Sequence, residues 1–115
     1  MIKLLHGIHH GIQDVLDLLE STQVFIIPIV NPDGVAYIEH KEKTVGRIPM
    51  KRKNGREMPD CNSETLSGID INRNYGNTWN KAMHEDDDFC TDQYHGTGPF
   101  SEPESRTIRD FILGH

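Results

Sequence analysis

A chain of 115 residues with a formal net charge of −6 holds one domain at most and lacks the basic field that general nucleic-acid binding requires. Hydrophobic residues make up 35% of it, low for a domain that closes its own sheet core, so further chain is expected around it. The longest apolar run, Val24 to Val30 interrupted by Pro28, is far shorter than the ~20 residues that span a bilayer, and Met1 to His6 lack the apolar core and cleavage site of a signal peptide. Neither a membrane nor a nucleic acid is expected as a partner.

From the N-terminus, Leu4/Leu5, Ile8, Ile12, Val15/Leu16 and Leu19 recur at helical spacing and predict an amphipathic helix over 1–20. His6, His9 and His10 stand at i, i+3, i+4 on it, a spacing that can share a metal, but no further ligand follows in register, and a solvated helix face is the plainer reading. The β-branched run Val24-Phe25-Ile26-Ile27-Pro28-Ile29-Val30 predicts a strand over 23–30 of the kind buried on both faces of a mostly parallel sheet. Pro28 removes one ladder donor there and implies a bulge. Asn31-Pro32-Asp33-Gly34 has type I turn chemistry, and Val35 to Glu39 prolongs the exit from it, a helical turn being one form it can take.

A polar, basic loop is expected over 40–60. Its stretch Lys51-Arg52-Lys53-Asn54-Gly55-Arg56 could be read as an import or nucleic-acid patch, but no aromatic residue interleaves with it, and a solvated loop or a cation placed for catalysis fits better. Gly68-Ile69-Asp70-Ile71-Asn72-Arg73-Asn74-Tyr75 is the organising stretch. Read as a strand over 68–74, it turns Asp70, Asn72 and Asn74 to one face and Ile69, Ile71 and Arg73 to the other, and its polar half is the carboxyl-end exit where open α/β sheets collect ligands. A guanidinium beside an Asn amide can grip a carboxylate bidentately; a solvated strand end is the bland alternative. An acidic loop over 83–100 follows, whose Met83 to Asp88 lacks the glycine and distal glutamate of a calcium loop. Ser101-Glu102-Pro103-Glu104 is a capping box with proline in the first turn and opens a helix over 102–113 that stops at Gly114. Cys61 and Cys90 flank the organising stretch and are compatible with free thiols or a disulfide. The element order is α/β, a mixed, mostly parallel sheet with flanking helices.

Taken together, VFIIPIVNPDG (Val24 to Gly34), Arg52-Lys53-Asn54, GIDINRNY (Gly68 to Tyr75) and Tyr94-His95-Gly96 followed by PFSEPE (Pro99 to Glu104) resemble, in order, the zinc carboxypeptidases of the A/B type. The resemblance runs from about Leu4 to the C-terminus and implies that residues 1–115 are an internal fragment of a catalytic domain. It implies that Arg52 polarises the scissile carbonyl and stabilises the oxyanion, that Asn72 and Arg73 hold the substrate's terminal carboxylate, and that Asp70 orients a zinc-bound histidine through its other ring nitrogen. It also implies a Cys61–Cys90 disulfide and a secreted or lysosome/vacuole-like compartment for a full-length form. Lys51 departs from the family, which often has an aromatic residue there.

The family's zinc is held by a His-x-x-Glu pair ahead of the first helix and a later histidine, with a glutamate as base. Here His6, His9 and His10 are followed three residues on by His9, Ile12 and Gln13, His40 by Lys43 and His84 by Asp87, and His115 falls too early for the later ligand. No metal ligand is therefore assigned. The expected function is that of a zinc-dependent metallocarboxypeptidase acting on peptide or protein C-termini, with this chain supplying the substrate-facing residues and inactive alone. The alternative is a non-catalytic module that binds peptide C-termini.

Overall fold

The computed structural model of the protein describes residues 2–79 and 88–115. The acidic run ahead of Asp88, and with it the calcium reading of that loop, falls outside the described residues. The predicted helix over 1–20 is two helices, α1 (Ile2–His9) and α2 (Gln13–Ser21). The break is at Gly11, whose φ of 63° lies in the left-handed region that a residue without Cβ enters freely. Helix α2 packs against α1 across the break, but Leu5, Ile8 and Ile12 of the apolar stripe stay exposed.

The segment Thr22–Val30 runs without helix or ladder partner, and its side chains are exposed on both faces, from 39% for Val30 to 52% for Ile29. The expected strand over 23–30 is therefore not formed among the described residues. A parallel-type strand requires neighbours on both edges and cover on both faces, and the described residues supply only one flank, where Phe25 meets Phe111 edge-on at 5.0 Å between ring centroids.

Asn31-Pro32-Asp33-Gly34 begins a helix rather than closing an isolated type I turn. In α3 (Pro32–Val45) Asn31 is the N-cap, its side-chain oxygen accepting from the Gly34 N–H at 3.0 Å, and Pro32 occupies the first helical position. Gly46 closes α3 in the left-handed conformation, its N–H donating to the Glu42 carbonyl. The basic loop expected from residue 40 thus begins only after α3.

The organising stretch also departs from a strand. Ile71–Arg73 is a 3-10 turn capped by Asp70, whose carboxylate accepts from the Asn72 N–H at 3.1 Å. The two-faced alternation fails with it, since Ile69, Asp70 and Ile71 are all buried while Asn72 is exposed. An Asx-type cap one residue before the turn competes with the ladder for the same backbone N–H. A short α4 (Gly76–Trp79) follows, and α5 (Pro103–Leu113) closes the chain. No strand occurs among the described residues, so the sheet expected from the sequence is not seen in them.

The interior is a polar knot in which Cys61, Ile69 and Ile71 are the buried hydrophobic residues and Lys53, Asn54, Asp70, Asn74, His95, Glu102 and Ser105 are buried beside them. The radius of gyration, 18.2 Å, exceeds the roughly 13 Å of a compact chain of this length, in keeping with so small an apolar centre.

Candidate active site

The site is assembled from four segments that meet at the 68–74 stretch. Asn31 fastens the first. Besides capping α3 it donates through Nδ2 to the Arg52 carbonyl at 3.2 Å, and Asp33 in the first turn accepts from the Gly55 N–H at 2.9 Å. The N-terminus of α3 therefore holds the backbone of residues 52–55.

Asn54 joins that loop to the organising stretch. Its N–H donates to the Ile69 carbonyl, and its side-chain oxygen accepts from the Ile69 N–H at 2.8 Å. Gly68 permits this approach. Its φ is 106°, and a Cβ there would collide with the Asn54 carbonyl. The third segment comes alongside when the Asp70 N–H donates to the Tyr94 carbonyl at 2.9 Å.

Asn74, fully buried, ties in the fourth. Its Nδ2 reaches the His95 carbonyl (2.9 Å), the Gly98 carbonyl (3.1 Å) and Ser101 Oγ (2.8 Å), while its Oδ1 accepts from the Glu102 N–H (3.2 Å) and Ser105 Oγ (2.6 Å). The capping box expected at Ser101 is replaced by this arrangement. The Ser101 hydroxyl donates to Glu102, and α5 starts at Pro103 without a side-chain cap. Glu102, itself buried, accepts from Asn54 Nδ2 at 2.9 Å and Arg56 Nη1 at 2.7 Å.

The lysines of the basic stretch reach inward, while Arg52 and Arg56 are half exposed. Lys51 Nζ donates to the Glu64 and Ser67 carbonyls at 2.7 and 2.6 Å. The fully buried Lys53 donates to the carbonyls of Leu66, Phe89 and Thr91. Burial, aided by the neighbouring Lys51 charge, pushes the Lys53 ammonium down to about 8. With Arg56 on Glu102, this run is a set of internally anchored cations rather than an open patch.

A cleft of about 370 Å³ is lined by Val30, Asn31, Arg52, Asp70, Ile71, Asn72 and Tyr75. Arg52 Nε donates to Asp70 Oδ2 at 2.8 Å, with the Arg52 side chain 44% exposed and the Asp70 side chain 3% exposed. Of the residues singled out in the sequence, Arg52, Asp70 and Asn72 thus share one cleft. Arg73 does not line it, and its Nε is buried with no hydrogen-bond partner among the described residues. Cys61 and Cys90 are joined, Cα to Cα 5.2 Å, within the ordinary range for a disulfide. Among the described residues no three His, Cys, Asp or Glu side chains come together as a metal site.

The sequence reading missed Asn31, Asn54, Glu102 and Ser105, which hold the cleft's walls. Asn31 had a legible signal, an N-cap type followed by proline and then aspartate. A model of the zinc carboxypeptidase family matches residues 2–115. The chain belongs to the zinc carboxypeptidase family. It is 36% identical over 111 residues to carboxypeptidase B of Helicoverpa zea, covering 95% of this chain and 24% of that protein. It is 34% identical over 98 residues to the mast cell carboxypeptidase A of Homo sapiens, covering 85% and 21%. The crystal structure of carboxypeptidase A from Helicoverpa armigera matches with a TM-score of 0.57 and 35% identity, covering 97% of this chain and 26% of that one. This zinc carboxypeptidase chain therefore spans about a quarter of the length of the relatives it matches, and the matched quarter includes the cleft.

Proposed function

We propose that the chain is an internal part of the catalytic domain of a zinc-dependent metallocarboxypeptidase, a hydrolase that removes C-terminal residues from peptides and proteins. The observation that carries this reading is the convergence of Arg52, Asp70 and Asn72 on one cleft, in a chain that belongs to the family. In this reading Asn72 offers a neutral amide donor to the substrate's terminal carboxylate from the cleft, and Arg73, next to it in the turn but outside the cleft lining, is the cation proposed for the same carboxylate. Arg52, half exposed and fixed at its Nε, faces the carbonyl of the last peptide bond and stabilises the negative charge that grows on its oxygen.

The described residues do not by themselves fit a zinc ion, since no three donor side chains converge. Zinc would polarise the carbonyl and activate water in such an enzyme. We expect the chain alone to show no zinc-dependent peptide hydrolysis. The disulfide suits an oxidising compartment, either outside the cell or within a lysosome- or vacuole-like organelle. No helix among the described residues is long and apolar enough to cross a membrane.

The test is a titration of the isotope-labelled chain with an N-acetylated dipeptide bearing either a free C-terminal carboxylate or an amide. The acid should shift the Asn72 amide and the Arg73 guanidinium and the amide should not; equal shifts with both would remove the carboxylate-binding role.

A further inference from the structure

We propose that Asp70 is a positioning residue that fixes the Arg52 guanidinium against the 3-10 turn carrying Asn72, and so sets where the cation facing the reacting carbonyl stands. This rests on the reading of Arg52 as the cation facing that carbonyl. The carboxylate of Asp70 is fixed on every side. Its Oδ2 takes Arg52 Nε at 2.8 Å, its Oδ1 takes the Asn72 N–H at 3.1 Å, and its own backbone N–H is tied to the Tyr94 carbonyl. With its side chain 3% exposed, it has no room to turn, and a buried carboxylate without these donors is costly.

The contact on Arg52 uses Nε rather than the terminal fork of the guanidinium, which orients the group without occupying the amines that a substrate oxygen would meet. Arg52 is held at its other end too, since its carbonyl accepts from Asn31 Nδ2. One carboxylate thus links, through its two oxygens, the Arg52 guanidinium and the backbone N–H of Asn72.

Arginine side-chain NMR on the full chain tests the link directly. Wild type should show a downfield, exchange-protected Arg52 Nε–H signal. In Asp70→Asn that signal should lose at least ten-fold of its protection and the Asn72 amide should move, while the Ser105 and Asn74 amides report an intact knot. An unchanged Arg52 Nε–H signal in Asp70→Asn overturns the proposal. Should Asp70→Asn fail to fold, Arg52→Lys, which keeps the charge but has no Nε, should still move the Asn72 amide; an unmoved Asn72 overturns the proposal equally. Inorganic phosphate, a tetrahedral oxyanion, tests the underlying reading separately. It should shift the Arg52 signal in wild type and bind at least three-fold more weakly to Asp70→Asn. If phosphate leaves Arg52 unmoved while Asp70→Asn still abolishes the protected signal, the oxyanion reading falls and the positioning link stands.

Discussion

The knot formed by residues 52–74 and 94–105 and the segment Thr22–Val30 distribute polarity in opposite ways. The knot buries Lys53, Asn54, Asp70, Asn74, Glu102 and Ser105, and the segment exposes Val24, Phe25, Ile26, Ile27, Ile29 and Val30. The two kinds of contact have different requirements. Hydrogen bonds close between specific atoms of this chain, so a polar circuit completes itself once Asn74 and Glu102 are in place. Apolar burial needs area on every side, and an extended run with a single flank against α5 cannot obtain it from the residues described.

The largest effect should come from the centre of the knot. Asn74→Ala removes the acceptor of Ser105 Oγ and the Glu102 N–H and the donor to the His95 and Gly98 carbonyls. With each stranded buried group costing about 1–3 kcal/mol, we expect a loss of about 4 kcal/mol in a denaturant titration. A loss below about 1 kcal/mol would break the comparison, because the knot would then not be a closed circuit.

Next is the covalent tie. Reducing Cys61–Cys90, or replacing Cys61 by Ser, frees a loop with a sequence separation of 29 and should cost about 3 kcal/mol on the chain-entropy argument, read from melts with and without reductant.

Lys53 gives a smaller, pH-dependent effect. Its folded value, about 8, lies below the roughly 10.4 of a free lysine, so above pH 8 the unfolded chain holds a proton that the folded chain has released. Stability from this group therefore rises with pH between about 8 and 10, by about 1 kcal/mol for the first unit. Lys53→Met should flatten that slope in melts taken across the window. A slope that survives the substitution would assign the effect elsewhere.

The smallest effect belongs to the other region. Ile26, 51% exposed, should tolerate Thr with a change within about 0.5 kcal/mol. A cost above 1.5 kcal/mol would show the segment to be packed and would erase the contrast.

These two regions also differ in what their residues reveal by themselves. The β-branched run announces a buried strand, and that preference is real, but its expression depends on neighbours that lie far away in sequence. The GIDINRNY stretch was legible as one on which other segments converge, and Arg52, Asp70 and Asn72 do meet in one cleft, which Arg73 does not line. Its shape was not legible, because the Asp70 carboxylate captures the Asn72 N–H and turns an apparent strand into a 3-10 turn. Helix α5 was readable from its Pro-Glu start and periodic apolar residues, whereas the partners of Glu102 and Ser105 depend on an asparagine some thirty positions upstream, which no local pattern encodes. The N-cap at Asn31 was written plainly and was masked by an equally good turn signature over the same four residues.

The lysine at the centre of the knot has a further consequence for how the chain is tied around the disulfide. Lys53 Nζ is shared by carbonyls from Leu66 on one side of the bridge and from Phe89 and Thr91 on either side of Cys90. It therefore clasps the same two stretches that the disulfide joins. Covalent tie and ammonium clasp close nearly the same loop, one through sulfur and the other through backbone carbonyls.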